Sequence, residues 1–152
     1  MSSSSFFITV GAVLGGLAVA AGAFGAHGLD SYFAKKYADT GMKTVAGVEV
    51  PASRKYLEDF KTGVTYQMWH ALALIGVGLV AQLRPSGALS VAGWSFLLGI
   101  VLFSGALYVL TIGGPRWLGV PWGMIAPIGG TLFLAGWAAF AIGACPCGAR
   151  TP

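Results

Sequence analysis

The chain has 152 residues, 56% of them hydrophobic and only 9% charged, with a formal net charge of +4. Soluble domains carry about 25% charged residues, so a water-facing surface over most of the chain is excluded. The positive balance does not mark a nucleic-acid binder. Six of the nine basic residues (Lys35, Lys36, Lys43, Arg54, Lys55, Lys61) share one loop with all five acids, which leaves no basic stripe for phosphates.

Four stretches contain no Asp, Glu, Lys or Arg: Ser2–Leu29, Thr62–Leu83, Pro85–Pro115 and Trp117–Ala149. A helix crosses the hydrocarbon core with about 20 apolar residues, and each stretch is longer. The pattern predicts a single all-α membrane domain, an up-down antiparallel bundle. Its four transmembrane helices lie at about 6–26, 63–83, 91–112 and 123–143, and a long loop covers 30–61.

The first helix contains Ala18-Val19-Ala20, which imitates a signal-peptide cleavage site. A secretory n-region is positively charged, whereas Met1 to Ser5 carry no charge, so the segment reads as a retained helix. Between helices in lipid there is little hydrophobic drive, and close backbone approach through small residues replaces it. Gly11, Gly15, Ala18, Gly22 and Ala26 form such a ridge on this helix.

In the long loop, Leu29, Tyr32, Phe33 and Tyr37 recur at helical spacing around Lys35 and Lys36. This predicts a short helix lying at the membrane interface against headgroups. After an irregular stretch at 40–50, Pro51 opens a second helical pattern (Tyr56, Leu57, Phe60, Val64) that runs into the second span.

That span carries Tyr66, Gln67 and His70, which helical spacing places on one face. After the third span, the run Gly113 to Gly123 combines helix breakers with Trp117 and Trp122, suited to a turn anchored in the headgroup zone. On the fourth span, Thr131, Ala135, Ala139 and Gly143 are read as a second small-residue ridge. The tail carries Cys145-Pro146-Cys147, read as two thiols, since a bridge across one Pro is strained and no further ligands complete a metal site. Lys and Arg in the short loops favour the side of the 30–61 loop and Arg116 over that of Arg84 and Arg150. The positive-inside rule therefore predicts a cytoplasmic loop and periplasmic termini in a bacterial inner membrane.

Polar groups inside a membrane are costly and are the first place to look for function. His27 ends the first span and His70 lies about 12 Å past Lys61 in the second, so both read as belonging to the loop-side half and within reach of each other. With Gln67 and Tyr66 they form a candidate polar cluster, either a clasp between helices or a site for a quinone, lipid or haem. A haem held by both rings requires equal depth. No carboxylate or Lys lies within a span, so a proton relay or ion-coupling residue is missing, and no acid can orient either His for hydrolysis. Gly22, Gly25 and Gly28 end an apolar helix and do not follow a strand, so they are no phosphate cradle.

The segments Gly22–Leu29 (with His27) and Thr62–Leu74 (with Tyr66 and His70), together with Leu102–Tyr108 and Ala126–Trp137, resemble the family of domain of unknown function 423, which includes transmembrane protein 256. The resemblance covers all four spans. It implies a four-helix membrane bundle in bacteria, or in the mitochondrial inner membrane for animal members, with no established activity. The stretch Asp39 to Arg54 and the Cys-Pro-Cys tail look individual to this chain. The expectation is a non-enzymatic structural or accessory component without cofactor or metal, in contact with membrane lipids and associating with itself or a larger membrane complex. The alternative is a small quinone- or lipid-binding or transport protein using His27, His70, Gln67 and Tyr66.

Overall fold

A computed structural model describes residues 2–145. Helix α1 spans Ser3–His27, α2 Leu29–Lys36, α3 Ala52–Leu83, α4 Gly87–Ile112 and α5 Ala126–Ala144, and strands β1 (Met42–Val45) and β2 (Val48–Pro51) lie between α2 and α3. Four segments are long and apolar enough to cross a membrane: α1, α3, α4 and the stretch Trp122–Ala144 that contains α5. They pack in chain order as an up-down antiparallel set, α1 on α3, α3 on α4 and α4 on α5. The two middle helices form the core, while α1 and α5 flank it and turn most of their surface outward.

Capping sets several of the boundaries. The Ser2 hydroxyl accepts from the Ser5 amide at 3.4 Å and Ser86 from the Leu89 amide at 3.2 Å, satisfying free N–H groups at the starts of α1 and α4. Pro127 occupies the first turn of α5, so this helix begins at Ala126, and the residues before it form the short turn Trp122–Met124. Helix α3 is continuous from Ala52, directly after Pro51. The segment 30–61 is therefore mostly regular structure.

Residues 42–51 correct the expectation of an irregular stretch. They form a hairpin pairing Met42 with Pro51 and Val45 with Val48. Ala46 (φ 49°) and Gly47 (φ 82°) both take the left-handed conformation, as a two-residue type I′ turn requires. The alternation of β-branched residues in Thr44-Val45 and Val48-Glu49-Val50 around that Ala-Gly pair is the signal for it.

Helix α2 is the short helix expected after the first span, and one face of it packs on protein. Phe33 is fully buried and meets the Phe60 ring edge-on at 6.4 Å, and Tyr37 lies 4.2 Å from the Tyr56 ring. The Tyr37 hydroxyl donates to the Thr111 carbonyl at 2.7 Å, and Lys36 Nζ donates to the Ile112 carbonyl. These are orphan carbonyls at the C-terminus of α4, where a cation also meets the negative end of the helix dipole. Burial, then the neighbouring Tyr56 and Tyr32, push the Tyr37 pKa up to about 12. The phenol therefore donates fully below the usual value of about 10, and the contact is lost only as pH rises through that window toward 12.

Glycines set how closely the helices approach. On α5, Gly129, Gly136 and Gly143 recur every seven residues and face Phe103, Phe96 and Leu89 of α4, which recur at the same spacing. A Cβ at Gly136 would lie 2.6 Å from the Phe96 ring, and one at Gly143 2.8 Å from Leu89. Across α1 and α3, Cβ atoms at Gly11 and Gly78 would each lie 2.8 Å from a carbonyl oxygen, of Ala71 and Ser4 respectively. Gly15 and Gly22 also face α3, more loosely, with Cβ distances of 4.0 Å to Ala71 and 3.5 Å to Val64.

The ridge read on the fourth span is corrected in part. Thr131 and Ala135 are exposed, Ala139 is half-buried and Gly143 meets α4. The packed face follows sevenfold spacing because α4 presents its large side chains at that spacing. Cys145 is disulfide-bonded, so the reading of two free thiols does not hold at that residue. Cys147 and the rest of 146–152 lie outside the described residues.

Replacing Gly136 or Gly11 with Leu forces these helices apart. We expect a loss on the order of 1–3 kcal/mol, read as a lower unfolding temperature in detergent. Gly16→Leu meets nothing within 4 Å and serves as the tolerated control. Equal tolerance of all three substitutions would remove the close-approach account.

Candidate functional site

The middle of α3 carries two buried polar side chains, Gln67 (6% exposed) and His70 (4%). In lipid a buried amide must find partners within the protein. Gln67 Nε2 donates to the Leu14 carbonyl of α1 at 2.8 Å, and its Oε1 accepts from the Tyr108 hydroxyl of α4 at 2.9 Å. One side chain thus ties three helices together.

His70 points the other way, toward α4 and α5. Its Nε2 lies 3.2 Å from Trp137 Nε1, and its Nδ1 lies 2.8 Å from the Tyr66 carbonyl. An indole N–H only donates, so Nε2 accepts. The ring proton then sits on Nδ1 and is donated to Tyr66, which defines a neutral tautomer with both nitrogens engaged. The imidazole stacks on Phe133 with centroids 3.4 Å apart and 8° between planes, and Phe96 lies at 5.6 Å. Tyr66 supplies the carbonyl and an aromatic wall, its ring 4.7 Å from Phe103.

The four residues of the predicted cluster are thus only partly brought together. Tyr66 and His70 share one environment, and Gln67 occupies another on the opposite flank of α3. His27 is the last residue of α1, and only its backbone is described. Gly15 lies beside Ala71, next to His70, and Gly25 lies beside Phe60. The twelve residues from Gly15 to His27 rise roughly 18 Å, so the two histidines sit at different depths. A shared iron would need them level.

Sequence alone does not single out two of the partners, Tyr108 and Trp137. Both close segments on which the family resemblance rests; Tyr108 is half-buried and its hydroxyl needs a partner, whereas Trp137 is exposed and turns its indole N–H toward His70. Ser104 is also buried, and its hydroxyl has no hydrogen-bond partner among the described residues. Among those residues no three His, Cys, Asp or Glu are grouped to hold a metal ion. The arrangement therefore joins helices, and it leaves no nitrogen of His70 open to a substrate.

Hydrogen bonds between membrane helices average about 0.6 kcal/mol and reach about 1.7. A double-mutant cycle between Gln67→Leu and Tyr108→Phe, read by unfolding in detergent, should give a coupling in that range. Full additivity would mean that the 2.9 Å contact contributes nothing.

A family model described as protein of unknown function (DUF423) matches residues 21–130. A UPF0382 membrane protein of Staphylococcus saprophyticus is 38% identical over 141 residues, covering 90% of this chain and 94% of that protein. The UPF0382 membrane protein YwdK of Bacillus subtilis is 40% identical over 132 residues (86% and 89%). The UPF0382 inner membrane protein YgdD of Escherichia coli K12 is 36% identical over 142 residues (93% and 91%). No solved structure matches. With four membrane-spanning helices and this similarity along most of its length, the chain is an integral membrane protein and belongs to the DUF423 family of unknown function.

Proposed function

We propose that the protein is a non-enzymatic structural or accessory component of a membrane assembly, associating with itself or with a larger membrane complex. One observation carries this reading over a quinone or lipid site built on His70, Gln67 and Tyr66. His70 Nε2 and both ends of the Gln67 amide are already engaged by other helices of the same chain, and His70 Nδ1 by the Tyr66 carbonyl of its own helix. A ligand there would have to displace bonds that hold the bundle together. The outward surfaces of α1 and α5 are wide, apolar and free of charge, which suits lateral contact in a bilayer.

Purification of the tagged full chain in mild detergent, with mass spectrometry of everything retained, tests the role. A stoichiometric protein partner or a stable homo-oligomer is expected. A monomer that retains a quinone, lost in His70→Ala with the fold intact, would reverse the reading.

We also propose that the side carrying α2, the hairpin and Arg116 faces the cytoplasm and that both termini face the periplasm, from the excess of Lys and Arg on that side. Alkaline phosphatase fused to the C-terminus should be active in a bacterial host. An inactive, stable fusion would invert the topology.

A further inference from the structure

Among the described residues, aromatic contacts join helices α1 and α4 at one end. Near the chain terminus, Phe7 fills the space above Gly93, and Phe6 lies 5.6 Å from the Trp94 ring. Toward the other end the two helices splay apart, and two adjoining crevices of about 400 Å³ each open between them. Leu14, Leu17 and Phe24 form one wall and Val101, Tyr108 and Ile112 the other. The two crevices share Ala21 on the α1 wall and Tyr108 on the α4 wall, and together they make the wedge. Gly105 lies inside it with nothing within 4 Å of a Cβ built there.

The length and the charge of this wedge identify what fills it. From Val101 to Ile112 the wall rises about 16 Å, close to one leaflet, which is half of the roughly 30 Å hydrocarbon core. A transmembrane helix from a partner would run through both leaflets and meet the Phe7–Gly93 closure. A single acyl chain would not. At its open end, Ile112 carries Lys36 on its carbonyl, with Lys35 exposed beside it on the last turn of α2. The ion pairs among the described residues, Lys55–Asp59 and Lys61–Glu58, leave both lysines without a carboxylate. Lys36 therefore stands over the end of an apolar slot of leaflet depth, with Lys35 exposed on the same helical turn.

We propose that the α1–α4 wedge binds an anionic glycerophospholipid, one acyl chain lying between the helices and its phosphate held by Lys35 and Lys36. The site uses none of His70's nitrogens and stands independently of the accessory role. It makes the lipid part of the fold on the side of α2, where the two helices diverge.

Native mass spectrometry of the full chain in detergent, with added phosphatidylglycerol or phosphatidylcholine, tests it. The wild type should retain phosphatidylglycerol more strongly, and Lys35→Gln should weaken retention about fivefold, the effect of one basic residue near an anionic surface. Lys36→Gln should do the same, and because that residue also caps α4 it is read together with Lys35→Gln. Gly105→Leu fills open space, so it should leave the unfolding temperature unchanged while abolishing retention of both lipids. Undiminished phosphatidylglycerol on a folded Gly105→Leu protein would overturn the proposal. So would a wild-type dimer that Gly105→Leu converts to monomer, since a second copy would then occupy the wedge.

Discussion

Close backbone approach through glycine is the constraint on which the rest of this structure depends. Lipid tails are as apolar as leucine, so helices in a bilayer gain little by burying apolar surface against one another. What they gain is van der Waals contact, and that requires the axes to come close. The sevenfold run of Gly129, Gly136 and Gly143 receives Phe103, Phe96 and Leu89. Gly11 and Gly78 do the same between α1 and α3. Once those distances are set, the polar side chains of α3 can reach their partners.

Those polar contacts add direction to the packing. Gln67 spans from the backbone of α1 to the Tyr108 hydroxyl of α4, and His70 joins α3 to Trp137 of α5. Between them every spanning helix is tied to α3. An unpaired amide or imidazole in hydrocarbon costs more than in water-exposed protein, so misregistered packings that break these bonds are disfavoured. The same logic operates at the end of α4, where Tyr37 and Lys36 reach from α2 to satisfy carbonyls that the helix leaves open.

The wedge between α1 and α4 follows from the same economy of contacts. Helix α1 turns Gly11, Gly15, Gly22 and Gly25 toward α3, and among the described residues Phe6 and Phe7 near its start stack against Trp94 of α4. Toward α2 the two helices diverge and leave the crevices lined by Leu17, Phe24, Val101 and Tyr108.

Local sequence determined that the chain carries four helices long and apolar enough to cross a membrane, and which family it belongs to. Each of these depends on hydropathy or on short motifs that need no partner. The face each helix turns inward was decided only by tertiary structure. Helices α4 and α5 are apolar on all sides, so periodicity carries no orientation signal there, and the ridge read through Ala135 missed the face defined by Gly136. The pairing of His70 with Trp137, sixty-seven residues on, depends on how α3 rotates between its neighbours, and the separation of His70 from His27 on the register of α1 against α3. Charge-free segments leave that rotation to side-chain shape, which becomes legible only when the helices are packed together.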